Sequence, residues 1–198
     1  MDIYDELINI INTEPDLEEF LTHESKWEYL YNLSHIRQNV YDWYDFDPES
    51  DLLEIGAECG AVTGLFTERV REVVAVDVDE RKCIVNRVRN KKAENLSIIQ
   101  VESYDKADGV KNGFEYASII GELSEEKILL AEKSLRDKGL LLVAGDDPKA
   151  EALLTEKGFL IKDKYFASPD YIFPLEIRRD ENKSSSYIYI CEKRVTLA

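Results

Sequence analysis

Apolar residues recur at helical spacing through the first part of the chain and as short strand-like runs after it. Ile3, Leu7, Ile10 and Ile11 share one face of a helix that Asp2 can cap. Glu14-Pro15-Asp16 breaks that helix, and positions 16–21 restart one. Leu30, Leu33, Ile36, Val40 and Trp43 then predict a single helix over about 26–44. A loop with Pro48 follows. Beyond it the pattern alternates. Apolar runs predict strands at 52–55, 73–76, 96–101, 116–120 and 140–144, with helices near 60–70, 79–92 and 124–138 between them. Ser124 followed by two glutamates favours a helix start, and Gly139 suits the stop. Pro148 opens a last helix that ends at Gly158.

Strands separated by helices imply a mostly parallel sheet. The final pair differs. Runs at 159–165 and 187–192 have no crossover helix between them, only a stretch with a short turn at 183–186, so they suit an antiparallel hairpin. The expectation is an α/β fold with a seven-stranded sheet, a terminal antiparallel hairpin and an N-terminal helical cap. The cap takes residues 1–45, and the sheet domain takes 46–198.

Composition narrows the partners. The chain has 198 residues, is 44% hydrophobic and carries a formal net charge of -16. Residues 1–50 hold thirteen acids against only Lys26 and Arg37. A phosphate backbone is repelled by such a surface, so nucleic acids and anionic membranes are poor partners. An acidic cap could instead dock a protein. The basic cluster between Arg69 and Lys92 reads as a solvated helix face. Cys59, Cys83 and Cys191 are odd in number and widely spaced, which fits reduced thiols in a cytoplasmic protein better than disulfides or zinc. No apolar run approaches membrane-spanning length, and the acidic N-terminus lacks a signal-peptide pattern.

The most specific stretch is Asp51-Leu-Leu-Glu-Ile-Gly56-Ala-Glu-Cys-Gly60-Ala-Val-Thr-Gly64, followed by Val73-Val-Ala-Val-Asp77. It reads as strand, glycine turn, helix start and second strand ending in a carboxylate. That arrangement suits a nucleoside cofactor. Gly56 and Gly60 let the backbone approach a ligand beside the free N–H groups of a helix start, and Asp77 can accept from ribose hydroxyls. A dinucleotide turn needs G-x-G-x-x-G, but Glu58 and Ala61 stand where two of its glycines belong. The terminal hairpin also disagrees with a dinucleotide fold, so an NAD enzyme is disfavoured.

The acidic-x-Gly-x-Gly-x-Gly turn of class I S-adenosylmethionine (SAM) methyltransferases is matched by Glu54, Gly56 and Gly60, with Glu58 in place of the middle glycine. The chain therefore resembles that superfamily, whose Rossmann-like sheet also ends in a hairpin. "LSHIRQNVYDWYDF" and "SPDYIFPLEI" further resemble methyltransferase domains of bacterial cell-surface polysaccharide systems, alone or fused to glycosyltransferases. The resemblance implies SAM as cofactor and a small-molecule or saccharide acceptor. It implies that Glu54, Gly56, Ala57, Glu58 and Gly60 form the methionine side of the site. Asp77 would hold the ribose and Val78 would pack on adenine. Ser103 and Tyr104 would border the adenine edge, with Asp105 a substitute acid, and the Gly121 carbonyl would accept from the cofactor amino group.

Because SAM carries an activated methyl group, positioning residues should outnumber reactive ones. Candidate proton acceptors are His35, Glu122 and Asp146. Each also has a plain capping or surface reading. Asp146 and Asp147 explain a helix N-terminus as well as they explain a metal, so no metal is expected. Tyr165, Phe166, Tyr171 and Phe173 form either an aromatic lid or packing for the last strands. Glu58 is the departure that matters. Within ~5 Å of the cofactor carboxylate it would repel by roughly 3 kcal/mol at an effective dielectric near ~20. Beside the ammonium it would attract, and in solvent it would do little. The alternative function is a non-catalytic, methyltransferase-like interaction module with weak or lost SAM binding.

Overall fold

The computed structural model describes residues 2–179, 184 and 186–195. Three helices come first: α1 (Ile3–Thr13), α2 (Leu17–His23) and α3 (Trp27–Leu33). Asp2 caps α1 by accepting from the Asp5 amide, and Asp16 caps α2 by accepting from those of Glu18 and Glu19. The single helix expected over 26–44 is broken. Ser34 adopts an extended backbone, its hydroxyl accepts from the Ile36 amide, and a separate 3-10 helix, His35–Val40, follows. A serine that competes for a backbone amide ends a helix that apolar spacing alone would extend.

The alternating region follows as β1 (Asp51–Ile55), α4 (Thr63–Arg69), β2 (Glu72–Asp77), α5 (Glu80–Arg89), β3 (Leu96–Gln100), β4 (Phe114–Ile120), α6 (Glu125–Ser134), β5 (Leu135–Gly145), α7 (Ala150–Glu156), β6 (Phe159–Ser168), β7 (Glu176–Arg178) and β8 (Tyr187–Lys193). One sheet runs in the order β3-β2-β1-β4-β5-β8-β6-β7. Its first five strands are parallel, while β8 lies antiparallel to β5 and β6. The sheet has eight strands where seven were expected. The extra one is the three-residue edge strand β7, paired antiparallel to the end of β6 and too short to show a period of two. The turn expected at 183–186 lies partly outside the described residues.

The helix expected over 124–138 also stops early. Ser134 ends α6, and Leu135 already pairs with Phe114 before a register shift. The left-handed residue there is Lys138, at φ 59°, rather than the expected Gly139. Gly139 serves a tight turn, since a Cβ on it would lie 2.9 Å from the Arg136 carbonyl oxygen.

Strand side chains alternate between two apolar layers, as a covered parallel sheet requires. Leu53, Ile55, Val74 and Val76 face a layer with Ile128 and Ala131 of α6 and Leu154 of α7. Leu52 and Val73 face the other, with Val40, Tyr41, Phe46 and Leu65 and Phe66 of α4. A third cluster docks the N-terminal helices: Leu7, Ile10, Leu21 and Leu33 pack on Val85 of α5 and on Cys59 of the glycine turn. Arg89 of α5 reinforces this docking by donating to the carbonyls of Asn32 and Leu33 at the end of α3. Those carbonyls would otherwise lack intrahelical partners.

Candidate functional site

The C-terminal ends of the parallel strands carry the site. After β1 the chain turns through three left-handed residues, Gly56 (φ 76°), Glu58 (φ 50°) and Gly60 (φ 78°). The turn is tied to β2: the amides of Gly56 and Ala57 donate to the Val76 carbonyl at 2.8 and 3.2 Å. The Glu58 amide donates to Asp77 at 2.8 Å, and the Asp79 amide takes the other carboxylate oxygen at 2.9 Å. Asp77 is thus buried at the tip of β2, joining two loops. Glu58 holds the backbone shape of the glycine it replaces, and at φ 50° that shape strains a residue with a Cβ.

The Glu58 side chain turns toward the cap. Its carboxylate accepts from the Tyr31 hydroxyl of α3 at 2.8 Å and lies 3.5 Å from the Lys82 ammonium of α5. It therefore connects the cap to the turn. Burial lowers the Lys82 pKa, but the charges of Glu58 and Asp77 outweigh it and the net shift is upward. The same burial effect pushes the Tyr31 phenol up to about 12.

Gly60 sits against an amide cluster. Asn86 donates to the Thr63 hydroxyl, and Asn90 donates to both Asn86 and the Gly60 carbonyl. Thr63 in turn donates to Glu54 at 2.6 Å. Full burial raises the Glu54 carboxyl to about 8, chiefly by desolvation.

Two side chains roof the turn. A Cβ on Gly56 would lie 3.1 Å from the Lys127 ammonium and 3.4 Å from the Tyr104 hydroxyl. The Lys127 nitrogen donates to the Glu122 carbonyl at 2.8 Å and stands 5.5 Å from the Tyr104 ring centre. Burial lowers the Lys127 pKa. A separate cavity at the turn measures only about 10 Å³ and is lined by Arg37, Glu54, Gly56, Ala57, Glu58 and Ile120, among others. That volume holds about one water.

The other expected residues fall at the same end of the sheet, with one exception. Val78 is 41% exposed beside Asp77. Ser103 is half-buried before the short 3-10 turn that carries Tyr104. Gly121 follows β4 at φ 90°, with the Tyr171 hydroxyl near where its Cβ would be. Glu122 and Asp146 are exposed after β4 and β5. His35 is the exception: its exposed ring pairs with Glu18 of α2 at 2.8 Å, a contact within the cap. Asp147 accepts from the Lys149 amide in the turn that leads into α7. Among the described residues, no three His, Cys, Asp or Glu side chains gather as metal ligands. Of the aromatic quartet, Phe173 packs edge-on to Trp27 of α3 at 5.5 Å, and Tyr165 packs on Trp43 at 4.5 Å.

Sequence reasoning passed over Tyr31, Lys82, Lys127 and the role of Arg37. Arg37 carried one signal, as one of two cations in an acidic stretch of fifty residues. Lys127 carried none, because it follows two glutamates in what reads as an exposed first helical turn.

The polar groups present fit the adenosyl cofactor that such a turn implies: the Asp77 carboxylate offers acceptors, and the Arg37 Nε beside the turn has no partner. The roof must shift for a molecule of that size to enter. No family model matches the chain. A ribosomal RNA small subunit methyltransferase A from Fusobacterium nucleatum is 24% identical over 165 residues, and the match spans 77% of this chain and 62% of that protein. Among solved structures, the [4+2]-cyclase SpnF superposes with a TM-score of 0.67 at 13% identity, covering 98% of this chain and 94% of that one. Phosphoethanolamine N-methyltransferase 1 of Haemonchus contortus, solved with phosphoethanolamine and S-adenosylhomocysteine, gives 0.64 at 14% identity over all of this chain and 51% of that one. With a sheet order, a terminal hairpin and a glycine turn that agree with these likenesses, the chain has the α/β fold of the class I SAM-dependent methyltransferases.

Proposed function

We propose that this protein is a SAM-dependent methyltransferase acting on a small-molecule or saccharide acceptor. One observation carries the reading: the left-handed turn after β1 is clasped, through the Glu58 amide, by a carboxylate at the tip of β2. Each Asp77 oxygen spends one lone pair on a backbone amide and keeps another for a ribose hydroxyl. The exposed face of Val78 offers apolar surface to an adenine ring. Lys127 and Tyr104 must swing off Gly56 to admit the ligand. When bound, SAM supplies a methyl group already activated on a sulfonium. The chain's part is to align the acceptor and take its proton, for which Glu122 and Asp146 stand at the correct end of the sheet.

The relative named for ribosomal RNA keeps RNA in view as an acceptor. The net charge of -16 argues against it, because polyanion binding rests on released counterions and basic contacts. Three unpaired buried thiols suit a reducing compartment such as the cytoplasm.

Calorimetry with S-adenosylhomocysteine tests the reading. Binding in the micromolar range is expected, weakened at least ~10-fold by Asp77→Asn, the loss of one charged hydrogen-bond acceptor. The roof over Gly56 favours a second reading, a methyltransferase-like interaction module whose acidic cap docks a protein. Undetectable binding at millimolar ligand, in the wild type and after Lys127→Ala, would overturn the first reading, and pull-down of a stable partner would then support the second.

A further inference from the structure

Trp43 has no part in the cofactor site, yet it is 37% exposed just beyond the 3-10 helix of the cap, where tryptophan is on average highly buried. It lines an open groove of about 390 Å³ with Asn39, Asp42, Leu175 and Glu176, among others, a volume that suits a small ligand. The indole is held in place. Its Nε1 donates to the Val40 carbonyl at 2.8 Å, and its ring packs on Tyr165. The polar groups are held too. Asn39 donates to the Pro174 carbonyl at 2.9 Å and keeps its amide oxygen as an acceptor. Arg69 binds one oxygen of Asp42, and Arg178 binds one oxygen of Glu176. Each carboxylate has acceptor capacity beyond that bond.

These features select one ligand chemistry. Both carboxylates are paired with arginines, so neither calls for a cation, and an anion would meet two acids. The groove thus offers a fixed aromatic surface bordered by fixed acceptors. A pyranose ring matches it, with an apolar C–H face for the indole and hydroxyls that donate to the acceptors. Groups already locked in place cost little to order on binding. A protein partner fits less well, because a stable interface takes roughly 20–30 residues a side and seven line this groove.

The groove also lies at the cofactor end of the sheet. Glu176 of β7 pairs with Ser168, and Phe166 pairs through Tyr187 with Gly145 at the end of β5. The loop between β6 and β7 passes the tip of β4, where the Tyr171 hydroxyl lies 3.7 Å from the place of a Gly121 Cβ, and then reaches the groove at Pro174. In the sheet order β7 stands four strand spacings from β4, roughly 19 Å at ~4.8 Å each. A single sugar does not cover that distance.

We propose that this groove is a remote subsite for a neutral oligosaccharide, which lays one ring on Trp43 while another reaches the strand tips. The inference rests on the methyltransferase reading and narrows its acceptor to a chain of sugars.

Trp27→Phe leaves Trp43 as the sole tryptophan of the chain. The fluorescence of this variant is titrated with neutral mono- to hexasaccharides of glucose, galactose, mannose and N-acetylglucosamine. At least one series should shift the emission saturably, with a dissociation constant below ~1 mM that tightens as the chain lengthens. By calorimetry, Trp43→Ala should weaken that binding at least ~10-fold, the loss of an anchoring tryptophan. Calorimetry of the wild type with the same panel decides the matter if either variant fails to fold. No binding across the panel overturns the subsite, as does affinity no greater for chains than for monosaccharides, or binding that survives Trp43→Ala. Emission that shifts with protein concentration alone, the mark of a second copy covering the groove, overturns it too. S-adenosylhomocysteine is titrated in parallel. Its binding without sugar binding removes the subsite and leaves the methyltransferase reading. Sugar binding without it leaves a sugar-binding groove and removes the methyltransferase reading, and failure of both ligands removes both.

Discussion

At Gly60 the backbone is left-handed and a Cβ would lie 2.3 Å from the Asn86 amide oxygen. Gly60→Ala should therefore cost ~2 kcal/mol or more, through backbone strain and a displaced amide cluster, as read by urea unfolding. Glu54 offers a pH-dependent test. Its folded pKa is raised from 4.5 to about 8. The folded state thus holds a proton that the unfolded state has already lost between these values, so stability attributable to this group falls as pH rises through that window and levels off above it. Glu54→Gln, which can still accept from Thr63, should remove that fall. Unfolding free energies of both proteins at pH 5, 6.5 and 8 would reveal a gap that widens toward pH 8 in favour of the variant. The glycine turn and Asp77 were legible in the sequence because a left-handed turn and a carboxylate ending an apolar strand leave marks at fixed spacing. Arg37 and Lys127 were not, because a long side chain reaches its site from a position whose neighbours say nothing about where it ends.

Among elements, the strands were the easiest to place, since central parallel strands are continuous apolar runs. Helix ends were harder. Ser34 stops α3 by hydrogen bonding, and Leu135 leaves α6 because it has a strand partner in Phe114. The first is a local competition hidden inside a good apolar pattern, and the second is a tertiary contact. The edge strand β7 exists only through its pairing with β6. The N-terminal helices share their apolar cluster with α5 and Cys59. Leu7 is fully buried there, so Leu7→Ala should cost ~2–5 kcal/mol. Urea unfolding followed by circular dichroism would check this.

At the scale of the whole molecule, charge and fold point in different directions. The likeness to the relative named for ribosomal RNA is one of 24% sequence identity, whereas the net charge of -16 belongs to this chain. Filter binding to a ribosomal RNA fragment at ~150 mM salt, where screening extends only ~8 Å, should show no retention. Tight retention would move the acceptor toward RNA. Among the described residues no helix is long and apolar enough to cross a membrane. Cys59 lies 2% exposed at the seam between the N-terminal helices and the glycine turn. A thiol reagent can reach its sulfur only when that seam opens, so the alkylation rate of this one cysteine clocks how often the molecule breathes there, without any label being added.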